Sequence, residues 1–237
     1  MLDPARCRRY VGDMSARLPI GVLVSGSGTN LQAIIDAIAA RRLTAEIRVV
    51  LCNVPGAAAL GRAERHAVPT LVIEHRGFPD RAAYDARVVS ELRARGVELV
   101  VLAGFNRLLS PTFVRAFPLR IMNIHPALLP AFPGLHAQRQ AIEHGVRIAG
   151  ATVHFVDEET DHGPIIMQAA VPVYPDDSTE TLQERILAQE HRIYPAAIQL
   201  FADGRLRVEG RQVVVTGRRP AHDAALVSPL TPIHGPG

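Results

Sequence analysis

Short apolar runs alternate with amphipathic stretches through the first half of the chain. Ile20-Gly21-Val22-Leu23-Val24 is continuously apolar and ends in Ser25-Gly26-Ser27-Gly28-Thr29-Asn30, which predicts a buried strand followed by a glycine turn. From Leu31 to Ala40 the apolar residues Leu31, Ile34, Ile35 and Ile38 recur at helical spacing. Strands are then expected at Ile47–Cys52, Thr70–Ile73, Leu99–Ala103 and Arg120–Ile124, with helices at Ala57–His66 and Asp80–Arg95 between the first of them. This alternation predicts an α/β fold with a doubly wound, mostly parallel, Rossmann-like sheet. The second half changes character. Ala151, Val153 and Phe155 alternate with Thr152 and His154, and Ile165–Val173 follows a turn at Gly163-Pro164. These read as an antiparallel strand pair appended to the parallel sheet. Ser178 to Phe201 reads as a long helix, with Ser178 and Thr179 as candidate N-caps.

The expected organisation is an N-terminal extension (1–19), a single domain (20–210) and a C-terminal tail (211–237) ending in a Pro/Gly-rich string expected to be loose. The 237 residues, 48% of them hydrophobic, suffice for a substantial core. Every one of the 26 cations counted as Lys+Arg is arginine, against 23 acids, for a net charge of +3. The arginines are scattered, so no nucleic-acid-binding face is expected, while small anionic ligands suit the balance. Cys7 and Cys52 stand far apart, which predicts neither a disulfide framework nor a metal site and suits a reducing, cytoplasmic setting. No apolar run approaches a membrane span, and the first residues lack the apolar core of a secretory signal.

Three segments carry candidate chemistry. Gly26-Ser27-Gly28-Thr29-Asn30 sits between a strand and a helix, where backbone N–H groups and the helix dipole favour an anion; a tight capped turn explains it equally well. It lacks the Gly-Lys-Ser/Thr of a P-loop and the third glycine of a dinucleotide fingerprint. Asn123-Ile124-His125-Pro126 closes the fifth strand, at the sheet edge where open α/β folds bind ligands. Alternation puts Asn123 and His125 on one side, offering an amide to polarise a carbonyl and an imidazole for proton transfer. Against this, His125 is one of ten histidines. The following loop, with Pro126, Pro130, Pro133 and Gly134, is expected to be stiff. The third segment, Asp157-Glu158-Glu159-Thr160-Asp161-His162-Gly163-Pro164, is acidic. Spacing alone favours a solvated turn there, although a carboxylate beside an imidazole would stabilise its charged form.

Together these segments resemble the glycinamide ribonucleotide formyltransferase family. The likeness rests on Ser25-Gly26-Ser27-Gly28-Thr29-Asn30-Leu31-Gln32-Ala33-Ile34, Leu102-Ala103-Gly104-Phe105, Asn123-Ile124-His125-Pro126, Phe132-Pro133-Gly134-Leu135-His136, Asp161-His162-Gly163-Pro164 and Gln189-Glu190-His191, in that order from about Ile20 to Gly210. The resemblance implies transfer of a formyl group from 10-formyltetrahydrofolate to the amine of glycinamide ribonucleotide, in purine synthesis, without a metal. It places the catalytic residues at Asn123, His125 and Asp161. It places the ribonucleotide at Gly28, Thr29, Asn30 and Glu190, and the folate at Arg81, Asn106, Arg107, Leu108, Leu109 and the loop from Asp157 to Asp161. Three positions depart from the family: Asn106 stands where many members carry methionine, which makes the pterin pocket wetter, Ala127 replaces a usual serine, and Leu187 replaces a polar ribonucleotide contact of some relatives. Three alternatives share the scaffold, one of them a methionyl-tRNA formyltransferase, which is expected to carry a C-terminal RNA-facing domain. A formyltetrahydrofolate deformylase is expected to carry a further N-terminal domain and a His-His motif. A non-catalytic folate or nucleotide-binding protein would not need Asn123, His125 and Asp161 together. The sequence leaves the oligomeric state open.

Overall fold

The computed structural model describes residues 17–217. In chain order the elements are β1 (Leu18–Val24), α1 (Thr29–Ala39), β2 (Ala45–Cys52), α2 (Ala58–Arg65), β3 (Thr70–Val72), α3 (Arg81–Ala94), β4 (Leu99–Leu102), α4 (Pro111–Ala116), β5 (Ile121–His125), α5 (Ala137–Glu143), β6 (Ile148–Phe155), β7 (Ile165–Pro172), α6 (Thr179–Ala202), β8 (Leu206–Glu209) and β9 (Gln212–Val215). The strands form one nine-stranded sheet in the order β3-β2-β1-β4-β5-β6-β7-β9-β8. Pairing is parallel from β3 through β5 and antiparallel at β5–β6 and β6–β7. The chain reverses its winding direction between β1 and β4, so the crevice of the switch point opens beyond Val24 and Leu102.

Helices cover both faces. On one, Leu31, Ile34 and Ile35 of α1, Ala59 and Ala63 of α2 and Leu182, Ile186 and Ile198 of α6 pack on Val22, Val101, Met122 and Val153. On the other, Tyr84, Val88 and Leu92 of α3 and Phe113 of α4 pack on Leu23, Val100 and Ile121. The near-continuous apolar character of β1 and β4 follows from this double cover. Ser178 caps α6 by accepting from the Thr181 N–H, and the Thr181 hydroxyl accepts from the Ser178 N–H in return. Midway along α6 the fully buried Tyr194 hydroxyl lies 3.0 Å from the Leu102 carbonyl and 2.9 Å from that of Met122. This ties the helix to β4 and β5 at the strand that leads into Asn123.

Two expected boundaries shift. Leu18 and Pro19 belong to the sheet, since Leu18 pairs with Ala45 of β2. Residues 1–16 of the expected extension lie outside the described residues. At the other end, β9 falls inside the segment expected to be a loose tail. It is ordered because β8 and β9 form a hairpin and Gln212 bridges to Ile165 of β7. Residues 218–237 of that tail lie outside the described residues. No helix among the described residues is long and apolar enough to cross a membrane.

Candidate active site

Asn123 and His125 leave β5 on the same face as Ile121, the face packed by α3 and α4. The antiparallel β5–β6 register sets His154 directly opposite Asn123 and Thr152 opposite His125, so His154 joins them on that face. The β6–β7 loop leaves the far end of β6 and folds back over this surface. It delivers Asp161, held in the left-handed region at φ 51°. The Asp161 carboxylate then lies 3.3 Å from His125 Nδ1 through Oδ2, and 3.4 Å from Asn123 Nδ2 and 3.7 Å from His154 Nε2 through Oδ1. The Gly134 N–H donates to Oδ2 at 2.8 Å.

The hydrogen bonds assign proton positions. His154 Nδ1 faces the Phe155 carbonyl at 2.8 Å and must donate to it, which leaves Nε2 to accept from Asn123 Nδ2 at 3.2 Å. That contact turns the NH₂ end of the Asn123 amide into the site. His125 Nε2 faces the Phe132 carbonyl at 2.8 Å, and Nδ1 faces Asp161. A ring set between two acceptors is fully satisfied only when it carries both protons. Burial would raise the pKa of the Asp161 carboxyl, but the Gly134 N–H and the charge of His125 work against it, and the group is held below its ordinary value.

The loop that supplies Phe132 and Gly134 is pinned from the sheet as well as by its prolines. The Thr152 hydroxyl donates to the Ala127 carbonyl at 2.7 Å and accepts from the Leu129 N–H at 3.0 Å, while Gln168 Nε2 donates to the Leu129 carbonyl at 3.0 Å.

A second polar group lies at the N-terminus of α1. Gly28 adopts φ 70°, and a Cβ there would meet that of Ala59 at 2.6 Å, so both the conformation and the close approach to α2 require glycine. Asn30 Nδ2 donates to Glu190 Oε2 of α6 at 2.7 Å, both residues being buried. Burial pushes the Glu190 carboxyl up, and the Asn30 hydrogen bond offsets part of that. Asn30 Oδ1 is buried without a hydrogen-bond partner among the described residues, so it stands ready to accept from a bound hydroxyl or amine. A cleft of about 270 Å³ opens beside Thr29, lined also by Gln32, Arg62 and His191.

The residues that the sequence assigns to folate sit on three segments. Arg81 opens α3. The Asn106 N–H donates to the Ser25 hydroxyl at 3.0 Å, joining the loop after β4 to the glycine turn. Arg107 lies over the Tyr84 ring, 4.8 Å from its centroid, Leu108 is exposed and Leu109 packs on the α3–α4 cluster. Asp157 accepts from the Glu159 N–H at 3.1 Å and from His162 Nδ1 at 2.9 Å. Asn123 and His125 each meet Asp161, and Asn30 meets Glu190. Sequence reasoning missed His154. Its position in an alternating strand shows that it shares a face with Thr152, but only the register with β5 shows what it meets.

The profile of the family described as formyl transferase matches residues 18–198, most of the chain. This chain belongs to the formyl transferase family. Among its relatives, the formyl transferase named phosphoribosylglycinamide formyltransferase from Escherichia coli K12 is 45% identical over 200 residues, covering 84% of this chain and 94% of that one. The trifunctional purine biosynthetic protein adenosine-3 of Drosophila pseudoobscura pseudoobscura is 48% identical over 205 residues, 86% of this chain. This chain spans only 15% of that relative's length. The solved structure of glycinamide ribonucleotide transformylase 1 from Symbiobacterium toebii superposes with a TM-score of 0.84 at 55% identity, covering 85% of this chain and 95% of that one. A formyltetrahydrofolate deformylase from Pseudomonas syringae pv. tomato shares the fold at a TM-score of 0.82 but is 26% identical, and this chain covers 68% of it.

Proposed function

We propose that this formyl transferase moves the formyl group of 10-formyltetrahydrofolate onto the amine of glycinamide ribonucleotide, a step of purine biosynthesis. The observation that carries this reading is the convergence of Asn123 and His125 on a single carboxylate, Asp161, with His154 beside the Asn123 amide. The near full-length match to the Escherichia coli formyltransferase supports the choice of acceptor.

The neutral amine attacks the formyl carbon, a C–N bond forms and negative charge collects on the formyl oxygen. The Asn123 amide protons and the His125 imidazolium are the donors for that oxygen, which competes with Asp161 for Asn123 and with the Phe132 carbonyl for His125. The bond from carbon to the folate nitrogen then breaks, and the proton lost by the amine ends on that nitrogen. Asp161, held below its ordinary pKa, is a permanent anion rather than a proton store. It faces Nδ1 of His125 and orders a water between amine and leaving nitrogen. The ribonucleotide phosphate takes the amides of the glycine turn from Gly28 to Asn30, and its ribose takes Glu190 and the free Asn30 Oδ1. The folate lies against Arg81, the stretch from Asn106 to Leu109 and the loop from Asp157 to Asp161.

The test is a spectrophotometric assay of purified protein with 10-formyltetrahydrofolate, with and without glycinamide ribonucleotide. Tetrahydrofolate released only in the presence of the ribonucleotide is the expected result. Equal release without it, with free formate, makes the protein a deformylase, and release in neither case removes the catalytic reading.

A further inference from the structure

The loop that carries Asp161 is gripped from outside the segment matched by the family profile, which ends at residue 198. The grip comes from Arg211, in the two-residue turn between β8 and β9. Its Nη2 donates to the His162 carbonyl at 2.7 Å, and its Nη1 lies 2.7 Å from His162 Nε2. On the other side of the same ring, Nδ1 lies 2.9 Å from Asp157 Oδ2. The Asp157 carboxylate needs a donor, so the ring carries a proton on Nδ1. Nη1 also lies 3.2 Å from Nδ1, so it sits against the face of the ring rather than along one lone pair. The directed hydrogen bond is the one from Nη2 to the His162 carbonyl.

We infer that Arg211 is a positioning residue for catalysis: through His162 it sets the conformation of the loop that presents Asp161, so that the C-terminal hairpin is a functional part of the site. Asp161 sits at φ 51°, a region that aspartate tolerates better than most residues but that persists only where the surroundings over-determine it. From the catalytic side, the Gly134 N–H holds the Asp161 carboxylate. From the outer side, the next peptide carbonyl, that of His162, is held by Arg211. Without the outer hold the 162–163 peptide is free to turn, the ψ of His162 is no longer fixed, and Asp161 one residue earlier loses its alignment with His125 and Asn123. The guanidinium fork is suited to this because its two donors are fixed relative to each other. The hairpin is itself fixed to the sheet by the Ile165–Gln212 bridge, next to Arg211 and just after the loop.

The groups involved are exposed, and exposed pairs add little to global stability, so the expected signature is local. In the full chain, Arg211→Ala is compared with wild type by amide hydrogen exchange and steady-state kinetics. Exchange should quicken in the 157–163 segment alone, kcat should fall about tenfold and the ribonucleotide KM should stay within about twofold, since an active group displaced by about 1 Å can lose up to 10²-fold. Arg211→Lys, which keeps a single donor group, should recover part of kcat. His162→Ala keeps the carbonyl contact and should lose less than Arg211→Ala. Unchanged loop exchange with unchanged kcat overturns the inference. Faster exchange spread over β7 and the hairpin also overturns it, because Arg211 would then hold the fold and not the loop. The inference rests on the catalytic role of Asp161. An inactive wild type would sink that role, while the exchange comparison would still decide whether Arg211 holds the loop.

Discussion

Nδ2 of Asn123 lies 3.2 Å from Nε2 of His154, across a strand pair in which the two residues are register partners. The Asp161 carboxylate, 3.4 Å from the same Nδ2, is the second acceptor that favours presenting the NH₂. With His154 Nδ1 committed to the Phe155 carbonyl, Nε2 is an acceptor and the NH₂ is fixed.

Asn123→Ala removes the proposed oxyanion donor and is expected to lower kcat by about 10²–10³-fold. His154→Ala leaves the donor present but held by Asp161 alone, and a loss of about tenfold is expected, in line with partial misplacement. Single-turnover rates at saturating ribonucleotide measure both. A His154→Ala rate equal to wild type would mean that the ring does not orient the amide.

Asp161→Asn is expected to lower kcat by about 10²-fold and to change the response to acid. The native state holds this carboxyl below its ordinary pKa. The stability so contributed is therefore complete above the unfolded value, about 3.9, and is lost as pH falls through the native one. Thermal denaturation followed from neutral pH to below about pH 4 should show a flatter acid limb for Asp161→Asn than for wild type. Identical acid limbs would show that the carboxylate is not stabilised by its neighbours.

Much of this was legible in advance, for identifiable reasons. β1, β2 and β4 are apolar runs bounded by turn residues, and α1 and α6 carry long periodic patterns, so local sequence suffices for them. α4 and α5 have 6 and 7 residues, too few to establish a period. The β8–β9 hairpin is a late pair whose order comes from β7, a long-range partner. Asn123 and His125 announce themselves at a strand end. Asp161 does not, because an acidic turn reads as solvated until the loop is seen folding back over β5. His154 belongs to the same class of omission, since antiparallel register cannot be counted from one strand.

Glu190→Gln separates binding from stability. The buried carboxyl has its pKa raised in the native state, so its stabilising contribution is full below the unfolded value of about 4.3 and is lost as pH rises through the native one. The variant should therefore gain Tm relative to wild type at neutral pH and gain little at pH 4. Its ribonucleotide KM should rise by about tenfold, the loss of one charge-assisted hydrogen bond, with kcat little changed. A Tm difference independent of pH would show that burial of the charge is not costly.

Gly163→Ala tests the fold of the Asp161 loop from within. A Cβ at this position would meet the Phe155 carbonyl oxygen at 1.8 Å, which forces backbone movement two residues from Asp161. Destabilisation of about 1–3 kcal/mol is expected from urea denaturation, with a loss of kcat larger than any rise in ribonucleotide KM. Wild-type stability would show that the loop relaxes at no cost.

The Asn30–Glu190 hydrogen bond joins residues 160 positions apart, and its second half arrives on the last long helix. During synthesis the glycine turn can form early, yet it stays without its carboxylate until α6 has emerged and docked through Tyr194. A nascent or proteolytically shortened chain ending before that helix keeps Asn123, His125 and Asp161 but offers the ribose only Asn30, without the carboxylate that orients it. On the proposed reading, binding of the acceptor therefore requires α6 to be in place.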